Sequence, residues 1–464
     1  MSDSDLDVEG KASSVAFVLS IVALTWYVFI LSLGLIGWWN ARKRYRLRPR
    51  SPLSSAPASA VPGVSVLRPL KGLDANLYEN LESTFTQEYP NYEIFFTVED
   101  EYDQALGVVR DLIAKYPNVK AEVIIGEEVV GVNPKVNNLI KAYRQASHDI
   151  LWVIDSNVMV APGTLARSVD ALDGPPSATQ SSRRRIALVH HVPFAFATER
   201  TIGSRLEEAF LNTNHAKMYI ALNSVAVDSC VVGKSNLYRK SDIDRVDGTL
   251  KPATASNRDY PHGKGFAAFG RFLAEDNMIA GALWHELDLR HDLSCDVAKN
   301  AVGNMSLSDY FWRRVRWIRV RKHMVLVATL LEPFTESVLV GILASFALRH
   351  LFGFPIWLFI CLHFALWLSI DLDVYASLAG HPLPPGADWW MFVGAWLMRE
   401  FLAFPIWVFA MGGSVVSWRG NRYIVVKTGE VKKIGPDTES SGWFNWGSWR
   451  RKTNDNYERL QTID

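Results

Sequence analysis

Long uncharged apolar runs lie near both ends of the chain, and between them short apolar runs alternate with helical periodicity. Residues 15–39 (VAFVLSIVALTWYVFILSLGLIGWW) exceed the ~20 residues that span a bilayer, which predicts a transmembrane helix. Three further apolar stretches, residues 324–348, 354–370 and 389–411, predict a C-terminal group of membrane helices. The first of them holds Glu332, Pro333 and Glu336, so it is expected to be broken or re-entrant.

The middle of the chain has a different rhythm. Residues 64–72, 92–100, 121–126 and 150–154 predict strands, with helices between them over 74–87, 104–116 and 136–147. That alternation implies a mostly parallel sheet wrapped by helices, whose right-handed crossovers bring Gly72, Asp100, Gly126 and Asp155 to one edge. In LWVIDSNVMV the apolar run stops abruptly at Asp155, where open α/β sheets bind ligands. Further on, IALVHHVPFAF resumes strand character and residues 206–223 predict a helix near the bilayer. Residues 229–238 read as a strand and turn, and FGRFLAEDNMIAGALW as a helix with Glu275 and Asp276 near its start. Residues 174–185 and 247–264 read as loops.

Composition narrows the class. A net charge of +1 gives no basic excess for nucleic acid, and three cysteines without paired spacing offer neither a disulfide framework nor a zinc site. Seventeen tryptophans, many near the apolar runs, fit the aromatic belts of a membrane protein. Arg42, Lys43, Arg44, Arg46, Arg48 and Arg50 follow the first run, so that end is expected in the cytosol. The expected organisation is a lumenal N-terminus over 1–14, a span over 15–39, a basic stretch and linker over 40–62 and a cytosolic catalytic domain over 63–322. Membrane helices over 323–412 and a tail over 413–464 complete it. One conflict stands: three full C-terminal spans would leave the tail in the lumen, whereas Arg419, Arg422, Lys427, Lys432 and Lys433 favour the cytosol. One stretch is therefore expected not to cross completely.

Each candidate for chemistry has a plain alternative. The Asp155 carboxylate can hold a divalent cation against a diphosphate, or merely cap its turn. Glu99 and Asp100 can accept the imide hydrogen of a uracil, or be solvated loop acids. Lys135, in GVNPKVNNL, can meet a phosphate or be an exposed lysine. Asp276 beside Glu275 suits a general base whose pKa is raised by a dry acidic neighbourhood, or is a surface helix carboxylate. Arg313, Arg316 and Trp317 share one helix face, ready for a departing diphosphate, or form a positive anchor before the next span.

Strand-end acids, an acid pair and RxxRW before membrane helices follow the order of the membrane-bound processive-type glycosyltransferases. The chain resembles the ceramide glucosyltransferase family within that group. The likeness runs from PGVSVLRPLKGLDANLYENLESTFTQEYPNYEIFF through VGVNPKVNNLIKAY, LWVIDSNVMV, CVVGKSNLYRK, LAEDNMIA and RRVRW to REFLAFPIWVF and SWRGNRYIV. It implies an α/β fold with a GT-A-type nucleotide-sugar-binding mixed sheet flanked by helices, one N-terminal transmembrane helix and a C-terminal helical membrane domain. It also implies inverting transfer of glucose from UDP-glucose to the primary hydroxyl of ceramide, with Mn2+ or Mg2+, at a Golgi or endoplasmic reticulum membrane. Pro69 and Leu70 of the RPLKG turn, with Glu99, Asp100 and Lys135, would line the donor site, and Asp155 would stand on the metal side. Asp276 would be the base, Arg313, Arg316 and Trp317 the closing motif, and His215, Cys230 and Glu275 would lie toward the acceptor. The chain departs from the group's Asp-Ser-Gly at Asn157, which leaves the turn feasible and puts the metal geometry in question. The rivals are a polysaccharide synthase of the chitin or hyaluronan type, which needs a channel of several helices, and a non-catalytic lipid- or nucleotide-binding scaffold.

Overall fold

A computed structural model describes residues 3–174, 184–252, 263–418, 421–426 and 429–434, with side chains from Ser14 onward. Residues 175–183 of the expected loop over 174–185, residues 253–262 of that over 247–264, Arg419, Lys427 and most of the tail lie outside the described residues. The chain opens with helix α1 (Asp3–Tyr45) and enters a nucleotide-fold rhythm: β1 (Val64–Pro69), α2 (Leu77–Phe85), β2 (Tyr92–Val98), α3 (Ala105–Lys115), β3 (Lys120–Ile125), α4 (Pro134–Gln145) and β4 (Ile150–Ile154). β5 (Val158–Met159), α5 (Thr164–Asp173), β6 (Ile186–Ala197), α6 (Ile202–Phe210), a π-turn over Leu211–His215, α7 (Ala216–Val225) and β7 (Ser235–Arg239) follow. After the single turn α8 (Lys240–Ile243) come α9 (Glu275–His285), β8 (Arg290–Val302) and α10 (Leu307–Met324).

The eight strands form one mixed sheet in the order β3-β2-β1-β4-β7-β6-β8-β5. β3, β2, β1 and β4 run parallel, so their carboxyl ends share an edge, as the alternating pattern predicts. Backbone bonds continue past the strands there: Leu70 N donates to Thr97 O and Gly126 N to Val98 O. The far half of the sheet is mixed, with β7 antiparallel to β4 and β6 and with β6 parallel to β8. β1, β2 and β4 are apolar on both faces because both are covered. Val66, Ile94, Phe96 and Trp152 pack toward α2, α3 and α5, while Leu67, Phe95, Leu151 and Val153 pack toward α4 and α9. Burying each such side chain stabilises the fold by about 1.5–3 kcal/mol.

Four elements depart from the sequence pattern. β8 and α5 were not expected; β8 carries charges that read as surface, yet Asp292 pairs with Arg44 at 2.8 Å and Asp296 with Arg167 at 2.7 Å. The single helix expected over 206–223 is two helices joined by the π-turn. The strand expected over 229–238 is confined to Ser235–Arg239, and the residues before it turn back toward the sheet edge.

The membrane part begins with the span Ser14–Tyr45 of α1. At the other end, α11 (Leu326–Leu331) and a 3-10 turn over Glu332–Thr335 meet α12 (Ser337–Phe352) at 63°, so the first C-terminal stretch is broken as its Pro333 suggests. α13 (Ile356–Ala379) and α14 (Ala387–Met411) follow. α1, α13 and α14 are each long and apolar enough to cross a membrane. Buried ions inside this group are paired: Lys217 Nζ lies 2.6 Å from Asp371, and Arg399 2.6 Å from Glu336.

α14 has an unexpected attachment. Its first turn pairs through Asp388 with Arg200 and Arg205, each at 3.2 Å, beside α6. At its last turn Arg319 and Lys322 of α10 donate to the Ala410 and Met411 carbonyls, each at 3.3 Å. Both ends of α14 therefore meet the sheet-bearing domain. The chain then forms a small antiparallel sheet of β9 (Val415–Trp418), β10 (Asn421–Val425) and β11 (Val431–Ile434). It packs on Val132, Leu273 and Val320, and Arg271 reaches Glu430 at 3.0 Å.

Candidate active site

The end of β4 is the hub. Asp155 Oδ1 lies 3.0 Å from Lys135 Nζ and Oδ2 lies 3.0 Å from Lys234 Nζ. Burial pushes the carboxyl up, but the two ammonium groups outweigh it and bring its pKa down to about 2, so Asp155 is ionised at any working pH. Behind it the buried Arg68 guanidinium donates to the Val158 carbonyl at 3.1 Å and 3.2 Å, and burial lowers its pKa to about 9. Ser156 Oγ donates to Asp74, which ties the turn to the loop after β1.

Lys135 joins Asp155 to the acid pair. It sits at the start of α4, whose cap is Asn133, an asparagine that also donates to Glu275 Oε2 at 2.8 Å. From there the Lys135 ammonium reaches Glu275 at 2.9 Å and Asp276 at 3.4 Å. Asp276 is held in a dry place: burial first, then the neighbouring Glu275, raise its pKa to about 8, against the opposing pull of Lys135. The third wall is backbone, because a Cβ on Gly233 would stand 1.6 Å from Asp276 Oδ2.

α10 brings in the basic motif. Arg313 Nε donates to Glu207 at 2.8 Å, and Arg314 lies 3.8 Å from the same carboxylate. Burial raises the Glu207 carboxyl, but Arg313, Arg314 and Lys234 together hold it below the usual range. Arg313 also lines a cleft with Asp74, Asn157, Asn300 and Gly303, of which Asn157 belongs to the turn that follows Asp155. Arg314 packs on Phe210 at 3.8 Å and Trp317 at 4.5 Å. Trp317 in turn meets His215 edge-on at 6.4 Å. His215 is the last residue of the π-turn, a device that re-aims side chains near sites. Burial, then Arg314, lower its pKa to about 3, so the ring is neutral.

Lys135 thus joins Asp155, Glu275 and Asp276 by direct contact, Arg313 is tied to Glu207 and lines the cleft, and Trp317 packs against Arg313 and Arg314. Arg316 stands on α10 at 313's face spacing. Pro69 and Leu70 end β1 at the shared edge; Leu70 is buried and its carbonyl accepts from Asn138 at 3.1 Å. Glu99 and Asp100 end β2 on that edge and are exposed. Glu99 pairs with Lys71 at 2.7 Å, and Asp100 accepts from Tyr102 N at 2.8 Å. No contact joins those two acids to the Asp155 cluster among the described residues. Cys230 lies in the apolar packing beside α7, and burial raises its thiol to about 11. Sequence reasoning missed Arg68, Asp74, Asn133, Glu207, Gly233 and Lys234. All but Glu207 lie inside the stretches that carry the resemblance: Arg68 and Asp74 at the RPLKG turn, Asn133 in VGVNPKVNNLIKAY, and Gly233 and Lys234 in CVVGKSNLYRK.

Among the described residues no three acid, histidine or cysteine side chains converge to hold an ion. Asp155 is the ionised carboxylate a hard cation would use, in place of one of the two ammonium groups on its oxygens, since magnesium-type sites use one or two carboxylates and take their other oxygens from water and phosphate.

A family model described as Glycosyl transferase family 21 matches residues 17–431. The chain is 38% identical to a ceramide glucosyltransferase of Komagataella phaffii, over 88% of this chain and 90% of that protein. It is 32% identical to a ceramide glucosyltransferase of Candida albicans, over 87% of this chain and 96% of that one. Among solved structures, a mannosyltransferase from Pyrobaculum calidifontis in complex with GDP-Man and Mn2+ matches 78% of this chain and 98% of its own, at 17% identity and a TM-score of 0.42.

Proposed function

The chain belongs to glycosyl transferase family 21, and from that premise we propose how its residues divide the work of transfer. It is a membrane glycosyltransferase that makes glucosylceramide. The donor is UDP-glucose, and the reaction inverts at the sugar's C1. Asp276 takes the proton from the primary hydroxyl of ceramide, and the freed oxygen attacks C1 on the face opposite the nucleotide. As the new C1–O bond forms, the old one breaks and its electron pair leaves on the diphosphate. One base and no covalent nucleophile suffice for this displacement.

The observation that carries the reading is the Lys135 bridge, 3.0 Å from Asp155 and 3.4 Å from Asp276. It ties a permanently ionised acid at the donor end to a carboxylate of pKa about 8 that can gain and lose a proton near neutrality. A divalent cation, where bound, would rest on Asp155 and polarise the diphosphate. Pro69, Leu70, Glu99 and Asp100 form the nucleoside end of the donor site, along the edge shared by β1 and β2. Arg313 and Arg316 face the departing diphosphate, and Trp317 forms a wall. Ceramide enters from the lipid side past α6, the π-turn and α7, where His215, Cys230 and Glu275 stand toward the acceptor. The domain faces the cytosol of a Golgi or endoplasmic reticulum membrane, in keeping with the basic residues from the last turn of α1 onward, of which Arg44 docks on Asp292.

The deciding measurement is the turnover of Asp276→Asn with UDP-glucose, ceramide and Mn2+. Retention of near-normal glucosylceramide formation would remove Asp276 from the role of base.

A further inference from the structure

Lys234 is a third cation at the strand end, beside Lys135 and Arg68. Its side chain is 14% exposed, its ammonium lies 3.0 Å from Asp155 Oδ2, and it donates to Asn157 Oδ1 at 3.1 Å. Its backbone is fixed as well, because Asp155 N donates to Lys234 O at 3.1 Å. Asn157 lines the cleft that also holds Arg313, and Lys234 acts electrostatically on Glu207, the carboxylate that anchors Arg313. The ammonium therefore stands between the strand-end acid and the cleft.

The local charge is unbalanced. Asp155 is one carboxylate against two ammonium groups in contact, with the Arg68 guanidinium behind, and Lys135 is already shared with Glu275 and Asp276. Lys234 thus shares Asp155 with Lys135, and the other acid it acts on, Glu207, is already engaged by Arg313 and Arg314. An anion entering the cleft would complete the balance, and the anion suited to two or three converging cations is a diphosphate. Asn157 gives the same message. An asparagine at that turn position supplies a side-chain oxygen that steadies the Lys234 ammonium, and a glycine would leave it held by Asp155 alone.

We propose that Lys234, steadied by Asn157 and Asp155, is a fixed ammonium of the donor site that binds the diphosphate of a uridine nucleotide and neutralises it as it leaves. The inference rests on the donor reading above. The one proton that moves is the one Asp276 takes from the acceptor: as the acceptor oxygen bonds to C1, the bond from C1 to the diphosphate breaks and its electron pair remains on the diphosphate oxygen. The share of the neutralisation that Lys234 supplies comes from the chain itself, so it persists when divalent cation is withdrawn.

The test uses the full chain in detergent, with the affinities of UDP and uridine measured calorimetrically in EDTA and in saturating Mn2+. A hydrogen bond to a charged group is worth about 1.5–3 kcal/mol, so Lys234→Met should weaken UDP binding in EDTA roughly ten- to hundredfold. Uridine binding should not change, Lys234→Arg should keep most of the UDP affinity, and Asn157→Gly combined with Lys234→Met should be no weaker than Lys234→Met alone. Unchanged UDP affinity in Lys234→Met, or an equal loss for uridine and UDP, would overturn the proposal. Failure of the unaltered chain to bind UDP in either medium would overturn the donor reading itself.

Discussion

Gly233 and Asp276 touch so closely that a single methyl group does not fit between them: a Cβ on the glycine would lie 1.6 Å from the carboxylate Oδ2. The constraint is one of space, since Gly233 is not among the residues of positive φ. Gly233→Ala must push either the β7 approach or the Asp276 side chain aside. Overpacking of this kind costs about 1–3 kcal/mol of stability, whereas a shift of ~1 Å at a reacting group costs about 100-fold in rate. Turnover should therefore collapse in a protein that still melts cooperatively, and near-normal turnover would show that the Asp276 position is not critical.

The raised pKa of Asp276 sets the pH response. A general base works ionised, so the rate should climb with pH and reach half its plateau near pH 8 on the acidic limb. Removing the neighbouring charge in Glu275→Gln should move that limb to lower pH, because Glu275 raises the Asp276 value. Stability runs the opposite way. A carboxyl whose folded pKa lies above the unfolded value favours the fold below about pH 4 and loses that contribution as pH rises through about 8. Asp276→Asn should gain thermal stability over the unaltered chain progressively between those limits. A limb that stays in place in Glu275→Gln would break the link between the two acids.

How much of this was legible in the letters follows from how local each signal is. β1 to β4 and the helices between them came from periodicity, and parallel crossovers then put Asp155 at the working edge. β8 was unreadable because its charged residues look solvated until Arg44 and Arg167, each more than a hundred residues away, are folded against them. The π-turn left no mark either, since LEEAFLNTNHAKMYIALN keeps helical character throughout. Asp100 shows the reverse case: the letters assign it a binding part, while its visible contact is with its own turn at Tyr102.

Arg313 is expected to act through shape as well as charge. Its Nε is committed to Glu207 at 2.8 Å, and the same residue lines the cleft. Arg313→Ala should lower kcat by about 10²–10³, in line with loss of one stabilising donor. Arg313→Lys should recover little, because an ammonium cannot hold Glu207 and reach the cleft at once. Full activity in Arg313→Lys would reduce the motif to a positive charge.

The membrane path of the C-terminal half follows from which ends meet. α1 and α13 run side by side in one direction: Tyr27 bonds to His363 at 3.1 Å and Trp38 to Asp373 at 2.6 Å. The start of α13 thus lies at the level of the outer half of α1, and the broken pair α11–α12 must carry the chain there from α10. Trp26 donating to the Phe334 carbonyl at 2.6 Å puts the break near mid-depth of the α1 span. On that path α13 is expected to return, and α14, long enough to cross but tied at both ends to the sheet-bearing domain, is expected to lie along the interface instead. The charge conflict would then be removed, with the broken stretch crossing and the last apolar stretch staying on the near side. Single cysteines at Phe352, His381 and Lys432, in a chain freed of Cys230, Cys295 and Cys361, test it in sealed microsomes with an impermeant maleimide. His381→Cys and Lys432→Cys should label from the same face as Tyr102→Cys on the sheet domain, and Phe352→Cys only after permeabilisation. Labelling of His381 and Lys432 from opposite faces would make α14 a span and return the tail to the lumen.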